Sequence, residues 1–218
     1  MVKLRSDTVM VNSLTNTEKD WTGNKNSIFK TLGASNHTDK ERENDDYYAT
    51  DPIAIDVLIN DGGVTFDKPI WECSCGEGHL SERLKEFGYE VYSTDLVDRG
   101  YGEGGIDFLK CDKKWNGDIL TNPPYKYAKE FIEHAMELIP DGCRVFMFLK
   151  VQFLEGKARK ELFKKYPPKC VYVSSSRILC AKNAKFDEMR AGGGSAVAYA
   201  WYEFEKGYSG KSELKWIN

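Results

Sequence analysis

Residues Ile70-Trp-Glu-Cys-Ser-Cys-Gly-Glu-Gly-His-Leu80 read as a strand, a tight turn and the start of a helix. Gly76 and Gly78 predict the turn, and the apolar start of the stretch predicts a buried strand. Glycine lets a ligand approach the backbone closely, and the free N–H groups of a first helical turn favour an anionic group. The stretch therefore predicts the first unit of an α/β fold with a ligand at its turn.

Strand and helix patterns alternate along the rest of the chain. Further strands are predicted at residues 90–96, 119–120, 144–151, 171–178 and 196–204, with helices near 131–139 and 155–166. Pro167-Pro168 ends the second of these helices. Alternation of this kind predicts a doubly wound, mostly parallel α/β sheet with an antiparallel last strand and with helices on both faces.

Composition indicates one soluble domain with an appended segment. Of the 218 residues, 41% are hydrophobic and 30% are charged, and no stretch is apolar enough to span a membrane. Residues 1–46 are polar and aperiodic, which predicts an N-terminal arm, and residues 47–218 form the predicted domain. The start lacks the apolar core of a signal peptide, so we expect a cytoplasmic protein.

The six cysteines have none of the spacings that hold zinc, so we expect reduced, mostly buried thiols and no metal. They are Cys73, Cys75, Cys111, Cys143, Cys170 and Cys180.

The net charge of −3 hides an uneven distribution. Residues 142–191 carry 12 Lys and Arg against 4 Asp and Glu, a balance of +8, which leaves 19 against 30 elsewhere. Such a basic segment is either a solvated face or an electrostatic footprint for phosphates.

Carboxylates follow the predicted strands at regular places. Asp95 ends the second strand, 19 residues after Gly76, where nucleoside-binding α/β folds place the acid that accepts from a ribose hydroxyl. Asp107-Phe108 opens the next connection with a carboxylate able to accept from an adenine amine and a ring beside it. These positions predict a nucleoside-containing ligand along one edge of the sheet.

Residues Asp118-Ile-Leu-Thr-Asn-Pro-Pro-Tyr125 place a polar loop at the end of an apolar strand. Asn122 offers a side-chain carbonyl, and Pro123, which has no N–H, leaves its backbone carbonyl as a second acceptor. Two acceptors match one NH₂ group, and Tyr125 offers a ring to stack on a flat substrate. The loop predicts a site that positions a planar amine.

With these motifs in this order, residues 46–205 resemble the class I S-adenosylmethionine (SAM) methyltransferases, and within them the adenine-specific DNA amino-methyltransferases of phages and prophages. The resemblance implies a Rossmann-like methyltransferase sheet, SAM as cofactor with S-adenosylhomocysteine as product, DNA as partner, and a catalytic loop of Asn122, Pro123, Pro124 and Tyr125. It also implies a set of cofactor-binding residues: Tyr48, Thr50, Pro52, Glu72, Cys73, Gly76, Gly78, Asp95, Leu96, Asp107, Phe108 and Asn122.

The chain departs from many DNA enzymes of this family in having no room for a separate target-recognition domain. The same loop also occurs in enzymes that methylate rRNA bases or a protein glutamine amide, so these substrates stay open as alternatives. A SAM-binding or DNA-binding module without turnover is a further alternative. The sequence does not fix the oligomeric state.

Two other segments are candidates for the substrate. Gln152 and Phe153 follow a predicted strand at the end where α/β folds bind ligands, so we expect base contacts there. Residues 179–194 mix three glycines with cations, which predicts a mobile substrate loop carrying Lys182, Lys185 and Arg190.

Overall fold

The computed structural model describes residues 48–218. The predicted polar arm, residues 1–46, lies outside this part of the chain.

Residues 48–218 form one seven-stranded sheet and one two-stranded sheet. The strands are β1 (Tyr48–Thr50), β2 (Ile70–Glu72), β3 (Val91–Ser93), β4 (Asp118–Thr121), β5 (Arg144–Lys150), β6 (Cys170–Ser174), β7 (Cys180–Lys182), β8 (Tyr199–Glu205) and β9 (Glu213–Ile217). The large sheet has the order β3-β2-β4-β5-β8-β6-β9, and the strands from β3 to β5 run parallel.

Helices cover both faces of the large sheet. They are α1 (Ile53–Asn60), α2 (His79–Glu86), α3 (Ala128–Leu138), α4 (Lys157–Lys165) and α5 (Phe186–Ala191). Apolar residues of α1 and α2 belong to one core cluster, while those of α3 and α4 belong to the other. The sheet therefore lies between two helical layers, as the alternating pattern predicts.

Strand β5 shows why the sheet has two cores. Its side chains alternate between the faces, so Val145 and Met147 join the cluster under α3, while Phe146 and Phe148 join the cluster under α1. All four are fully buried. Burial of a side chain of this size contributes about 1.5–3 kcal/mol, so this strand is a main source of stability.

The antiparallel strand is β8, which pairs with β5 on one side and β6 on the other. The predicted antiparallel strand at 196–204 is thus present, but it is not the last one. Strand β9 follows and adds to β6 in parallel at the edge of the sheet. The sequence pattern missed it because its side chains are mostly exposed and its only buried residue is Ile217.

A second correction concerns residues 179–194, which are not an irregular loop. Strand β7 pairs antiparallel with β1, with Thr50 opposite Cys180, and α5 follows directly. Asn183 and Ala184 take positive φ angles between the two elements, 52° and 54°. This pairing joins residues 130 positions apart, so no local pattern reveals it.

The parallel strands bring their carboxyl ends to one edge of the sheet. The Gly76 turn follows β2, Asp95 follows β3, Asn122 follows β4, and Gln152 follows β5. In open α/β sheets this edge is where ligands bind, so the fold gathers the predicted site residues at one edge.

Candidate active site

The turn after β2 is held by the carboxylate after β3. Asp95 Oδ2 accepts a hydrogen bond from the Gly76 N–H at 2.8 Å, and Oδ1 accepts from the Val97 N–H at 2.9 Å. Gly76 and Gly78 have φ angles of 56° and 83°, which favour glycine. A Cβ on Gly78 would lie 2.5 Å from the Tyr101 ring, so this glycine serves the packing of Tyr101 as well as the turn.

Glu72 and Cys73 lie beneath the turn rather than at its surface. Each is 2% exposed, and Glu72 accepts a hydrogen bond from the Ser81 hydroxyl, which also pairs with Ser93. Burial raises the pKa of Glu72 to about 8, and the Ser81 bond opposes that rise. The prediction that these side chains bind the cofactor needs correction, because both are covered by the protein. Glu72 supports the turn from below.

Three further residues predicted to bind the cofactor, Leu96, Asp107 and Phe108, divide into exposed and buried ones. Leu96, directly after Asp95, is 61% exposed and thus open to a ligand. Asp107 caps a 3₁₀ turn at Leu109 and pairs with Lys110 at 2.7 Å, which lowers its pKa. Phe108 is 2% exposed and packs edge-on against Trp71, so its ring belongs to the core and the predicted ring contact is wrong.

Asn122 stands at the end of β4. Its Nδ2 lies 3.5 Å from the carbonyl oxygen of Tyr48, so β1 lies beside the loop. Its Oδ1 is buried without a hydrogen-bond partner among residues 48–218. Burying an acceptor unpaired costs about 1–3 kcal/mol, so a ligand donor that reaches this oxygen would recover that cost.

Around Asn122, the rest of the loop is ordered by its neighbours. Pro123 is buried and Pro124 is exposed, and a 3₁₀ turn begins at Tyr125. Lys150 Nζ lies 5.3 Å from the centroid of the Tyr125 ring, and the Tyr199 ring lies 6.0 Å away on a tilted plane. Burial raises the pKa of the Tyr125 hydroxyl well above its usual value, so it stays a neutral donor.

Cys180 is a contact of the loop that the sequence analysis did not assign to the site. Its Sγ lies 3.4 Å from the Tyr125 hydroxyl and 3.9 Å from Thr50 Oγ1. It is 4% exposed, and burial raises its thiol pKa. Cys180 therefore connects β7 to the segment before α1, where Pro52 precedes the helix and Asp51 Oδ1 accepts from the Ile53 N–H. No sequence signal other than its place in an apolar run marks it.

The predicted substrate cations of residues 179–194 make contacts within the protein. Arg190 Nη2 pairs with Asp51 Oδ2 at 2.6 Å, and Lys185 pairs with Glu188 at 2.8 Å, while Lys182 is the exposed last residue of β7. The Phe186 ring packs edge-on against His79 at 5.6 Å, so α5 contacts the start of α2 next to the Gly76 turn. Residues 179–194 therefore pack next to the Gly76 turn, where the cofactor is predicted to bind.

Gln152 and Phe153, by contrast, lie where the sequence places them. With Tyr125 they line a cavity of about 370 Å³ at the end of β5, in which Gln152 is exposed and Phe153 is 7% exposed. Lys150 and Arg159 also line it. The structure thus places Gln152 and Phe153 beside Tyr125 of the Asn122 loop, and their contact with a base stays a prediction.

Within residues 48–218, no three His, Cys, Asp or Glu side chains are close enough together to hold a metal ion. In the same part of the chain, no helix has the length and apolar character needed to cross a membrane.

No protein-family model matches the chain, and no curated protein sequence matches it. Solved structures do match. A protein from Lactococcus lactis described as a "putative hemolysin" has a TM-score of 0.54 at 12% identity over 75% of this chain and 89% of its own. A modification subunit of a "putative type I restriction enzyme" from Vibrio vulnificus YJ016 has a TM-score of 0.52 at 13% identity over 78% of this chain and 46% of its own.

The M protein of the type I restriction enzyme EcoKI has a TM-score of 0.51 at 15% identity over 74% of this chain and 44% of its own. This chain thus spans less than half the length of either modification subunit. The mixed, mostly parallel sheet with helices on both faces is an α/β fold that this chain shares with these structures. At these identities the likeness is one of fold.

Proposed function

We propose that this protein is a SAM-dependent methyltransferase that acts on the exocyclic N6 amine of adenine in DNA. The observation that carries the proposal is the buried, unpaired Oδ1 of Asn122 at the end of β4. A binding module without turnover has no use for such an acceptor, whereas an enzyme that orients an amine needs one. The backbone carbonyl of Pro123 is the second acceptor of the pair.

The residues at the sheet edge fit SAM. Positive φ angles at Gly76 and Gly78 hold the turn open to an anionic group, which suits the carboxylate of the methionine part. Asp95 uses one acceptor position on each oxygen for the backbone, which leaves capacity for ribose hydroxyls. Exposed Leu96 offers an apolar face for the adenine of the cofactor, and Asp107 offers a carboxylate for its amine.

The chain contributes orientation and electrostatics to the reaction. When bound, SAM supplies a methyl group activated by a positively charged sulfur. Asn122 Oδ1 and the Pro123 carbonyl accept the two amine hydrogens, so the nitrogen lone pair is turned toward the methyl group. Tyr125 stacks on the flat base and excludes water from it. A preorganised polar group of this kind is worth about a hundredfold to a thousandfold in turnover.

DNA is the substrate that the surroundings of the loop favour. Two of the structural neighbours are modification subunits of restriction enzymes, and the basic segment 142–191 borders the site through Lys150 and Arg159. A target adenine inside a duplex has to be flipped out of the stack to reach Asn122, which costs a few kcal/mol.

A methyl-transfer assay with radiolabelled SAM identifies the substrate. The protein is incubated with unmethylated DNA, with ribosomal RNA and with a glutamine-containing peptide, and the DNA is then digested to nucleosides. We expect label in DNA, recovered as N6-methyldeoxyadenosine. If the label appeared in RNA or in the peptide and not in DNA, that molecule would be the substrate and the DNA proposal would be wrong. No label in any of them, with SAM binding intact, would favour a binding module.

A further inference from the structure

The cavity beside Tyr125 has features that the proposed methyl transfer does not require. It lies between the end of β5, the 3₁₀ turn Val151–Leu154 and the start of α4. Its lining combines apolar side chains with two cations, Lys150 and Arg159, one carboxylate, Glu155, and the amide of Gln152. A cavity that held only a flat base would need stacking contacts and hydrogen-bond partners for the edge of the base, but not two cations.

Arg159 is fixed in place by the protein. Its Nη1 donates to the carbonyl oxygens of Gln152 at 3.0 Å and Glu155 at 2.6 Å, and its guanidinium lies 4.7 Å from the centroid of the Phe153 ring. These contacts occupy one nitrogen, and within residues 48–218 no partner is recorded for Nε and Nη2. The guanidinium is therefore oriented in advance, with donors left for a ligand.

Within residues 48–218, Lys150 and Arg159 have no acidic partner, unlike many neighbouring cations. Five cations of the basic segment are ion-paired with carboxylates: Arg144, Lys164, Lys169, Lys185 and Arg190. Neither Lys150 nor Arg159 has a carboxylate within 4.0 Å in the part of the chain that the structure describes. Lys157, Lys160, Lys165 and Arg177 are likewise without a carboxylate partner in this part of the chain, and of these unpaired cations Lys150 and Arg159 are the two that line the cavity beside Tyr125.

We propose that Lys150 and Arg159 bind a phosphodiester of the nucleic-acid strand that presents the target amine to Asn122. This inference rests on the proposed function and deepens it, because it names the group that holds the substrate strand. A fixed guanidinium with free donors suits phosphate oxygens, and the ammonium of Lys150 adds a point charge. A neutral glutamine peptide has no group that this pair of cations would recognise.

Binding of a fluorescently labelled single-stranded oligodeoxynucleotide to the full chain tests the site without turnover. Affinity is measured over a series of salt concentrations for the wild type, Arg159→Ala and Lys150→Met. Each variant should bind several-fold more weakly, and each should reduce the slope of log K against log salt by about 0.7, the contribution of one phosphate contact on a single strand.

Lys211→Ala is the matched control. Lys211 is exposed and follows β8. The end of β8 pairs with Arg144 at the start of β5, whereas the site lies at the other end of β5, so Lys211 is far from the site. The control should leave the slope unchanged. Affinity for S-adenosylhomocysteine and the unfolding temperature confirm that each variant is folded, and if Arg159→Ala does not fold, Lys150→Met carries the test.

An unchanged slope and affinity in both cavity variants would overturn the phosphate site, even if the wild type methylates DNA. A wild type that binds no oligonucleotide would overturn it as well. Conversely, a protein that binds DNA through these cations but transfers no methyl group would support the phosphate site and contradict the proposed function. If the two variants reduced the salt slope for an oligoribonucleotide but not for the oligodeoxynucleotide, the phosphate site would be supported with RNA as the bound strand.

Discussion

The guanidinium of Arg190 lies 2.6 Å from the carboxylate of Asp51, two residues before α1. The pair joins residues 139 positions apart and fastens α5 to the segment that contacts the Asn122 loop. Asp51 is largely buried, with 12% of its side chain exposed, while Arg190 is 54% exposed. Arg190 is thus committed to a contact within the protein, and the expectation that it binds phosphate has to be revised.

Arg190→Ala should loosen α5 without changing the contacts to DNA. A half-exposed ion pair contributes about 1 kcal/mol or less, so amide hydrogen exchange in residues 186–191 should rise up to about fivefold. The salt slope of DNA binding should stay the same. Lys185→Ala, which removes only a pair within α5, is the control and should change exchange less. A lower salt slope in Arg190→Ala would return this residue to the phosphate contacts.

Asp95→Ala should weaken the binding of S-adenosylhomocysteine. The variant removes an acceptor for ribose hydroxyls and also the bond that holds the Gly76 turn, so we expect a loss of roughly 1–3 kcal/mol. Titration calorimetry measures it. Asp98→Ala is a matched control, because Asp98 is an exposed carboxylate of the same connection whose one hydrogen bond within residues 48–218 comes from the Gly100 N–H. Equal affinities of Asp95→Ala and the wild type would remove Asp95 from the site.

Glu72 should make the protein less stable as the pH rises. Its folded pKa, raised to about 8 by burial, exceeds the ordinary value of 4.5, with Asp95 adding to the rise and Ser81 and Lys85 opposing it. Between these two pH values the folded state holds a proton that the unfolded state has lost, so the free energy of unfolding falls as pH increases through this window. Glu72→Gln should remove that fall.

The variant should be more stable than the wild type at pH 8 by roughly 4–5 kcal/mol, since the rise of the pKa from 4.5 to about 8 is worth about 1.4 kcal/mol for each pKa unit, and nearly equal to it at pH 4.5. Urea unfolding at several pH values measures the difference. Glu90→Gln, at an exposed position, is the control and should show little change. A parallel pH dependence of Glu72→Gln and the wild type would show that another group titrates.

The sequence predicts the central elements of the fold because their patterns are local. Strand β5 is a continuous apolar run, α3 has an apolar stripe, and the Asn122 loop is marked by its prolines. The regions it misreads depend on contacts between distant residues. Strand β7 is defined by its pairing with β1, and the three glycines after α5 make the same segment look like a loop.

Besides contacts between distant residues, the sequence leaves open the direction in which a side chain points. Phe108 follows a candidate ligand residue, yet its ring turns into the core against Trp71. Glu72 precedes the glycine turn, yet it is buried beneath it and bonds to Ser81. A motif gives the position of a residue on the backbone, and the packing of neighbouring elements decides which side of the backbone its side chain occupies.

Methyl transfer by Asn122→Ala tests the central claim most directly. Turnover is measured with radiolabelled SAM on DNA, together with the affinity for S-adenosylhomocysteine, for the wild type, Asn122→Ala and the exposed control Asn116→Ala. Because Asn122 Oδ1 serves the amine, we predict a loss of roughly a hundredfold or more in turnover for Asn122→Ala, with cofactor affinity close to the wild type. Asn116→Ala should behave as the wild type in both measurements. An Asn122→Ala protein that keeps most of its activity would contradict the account.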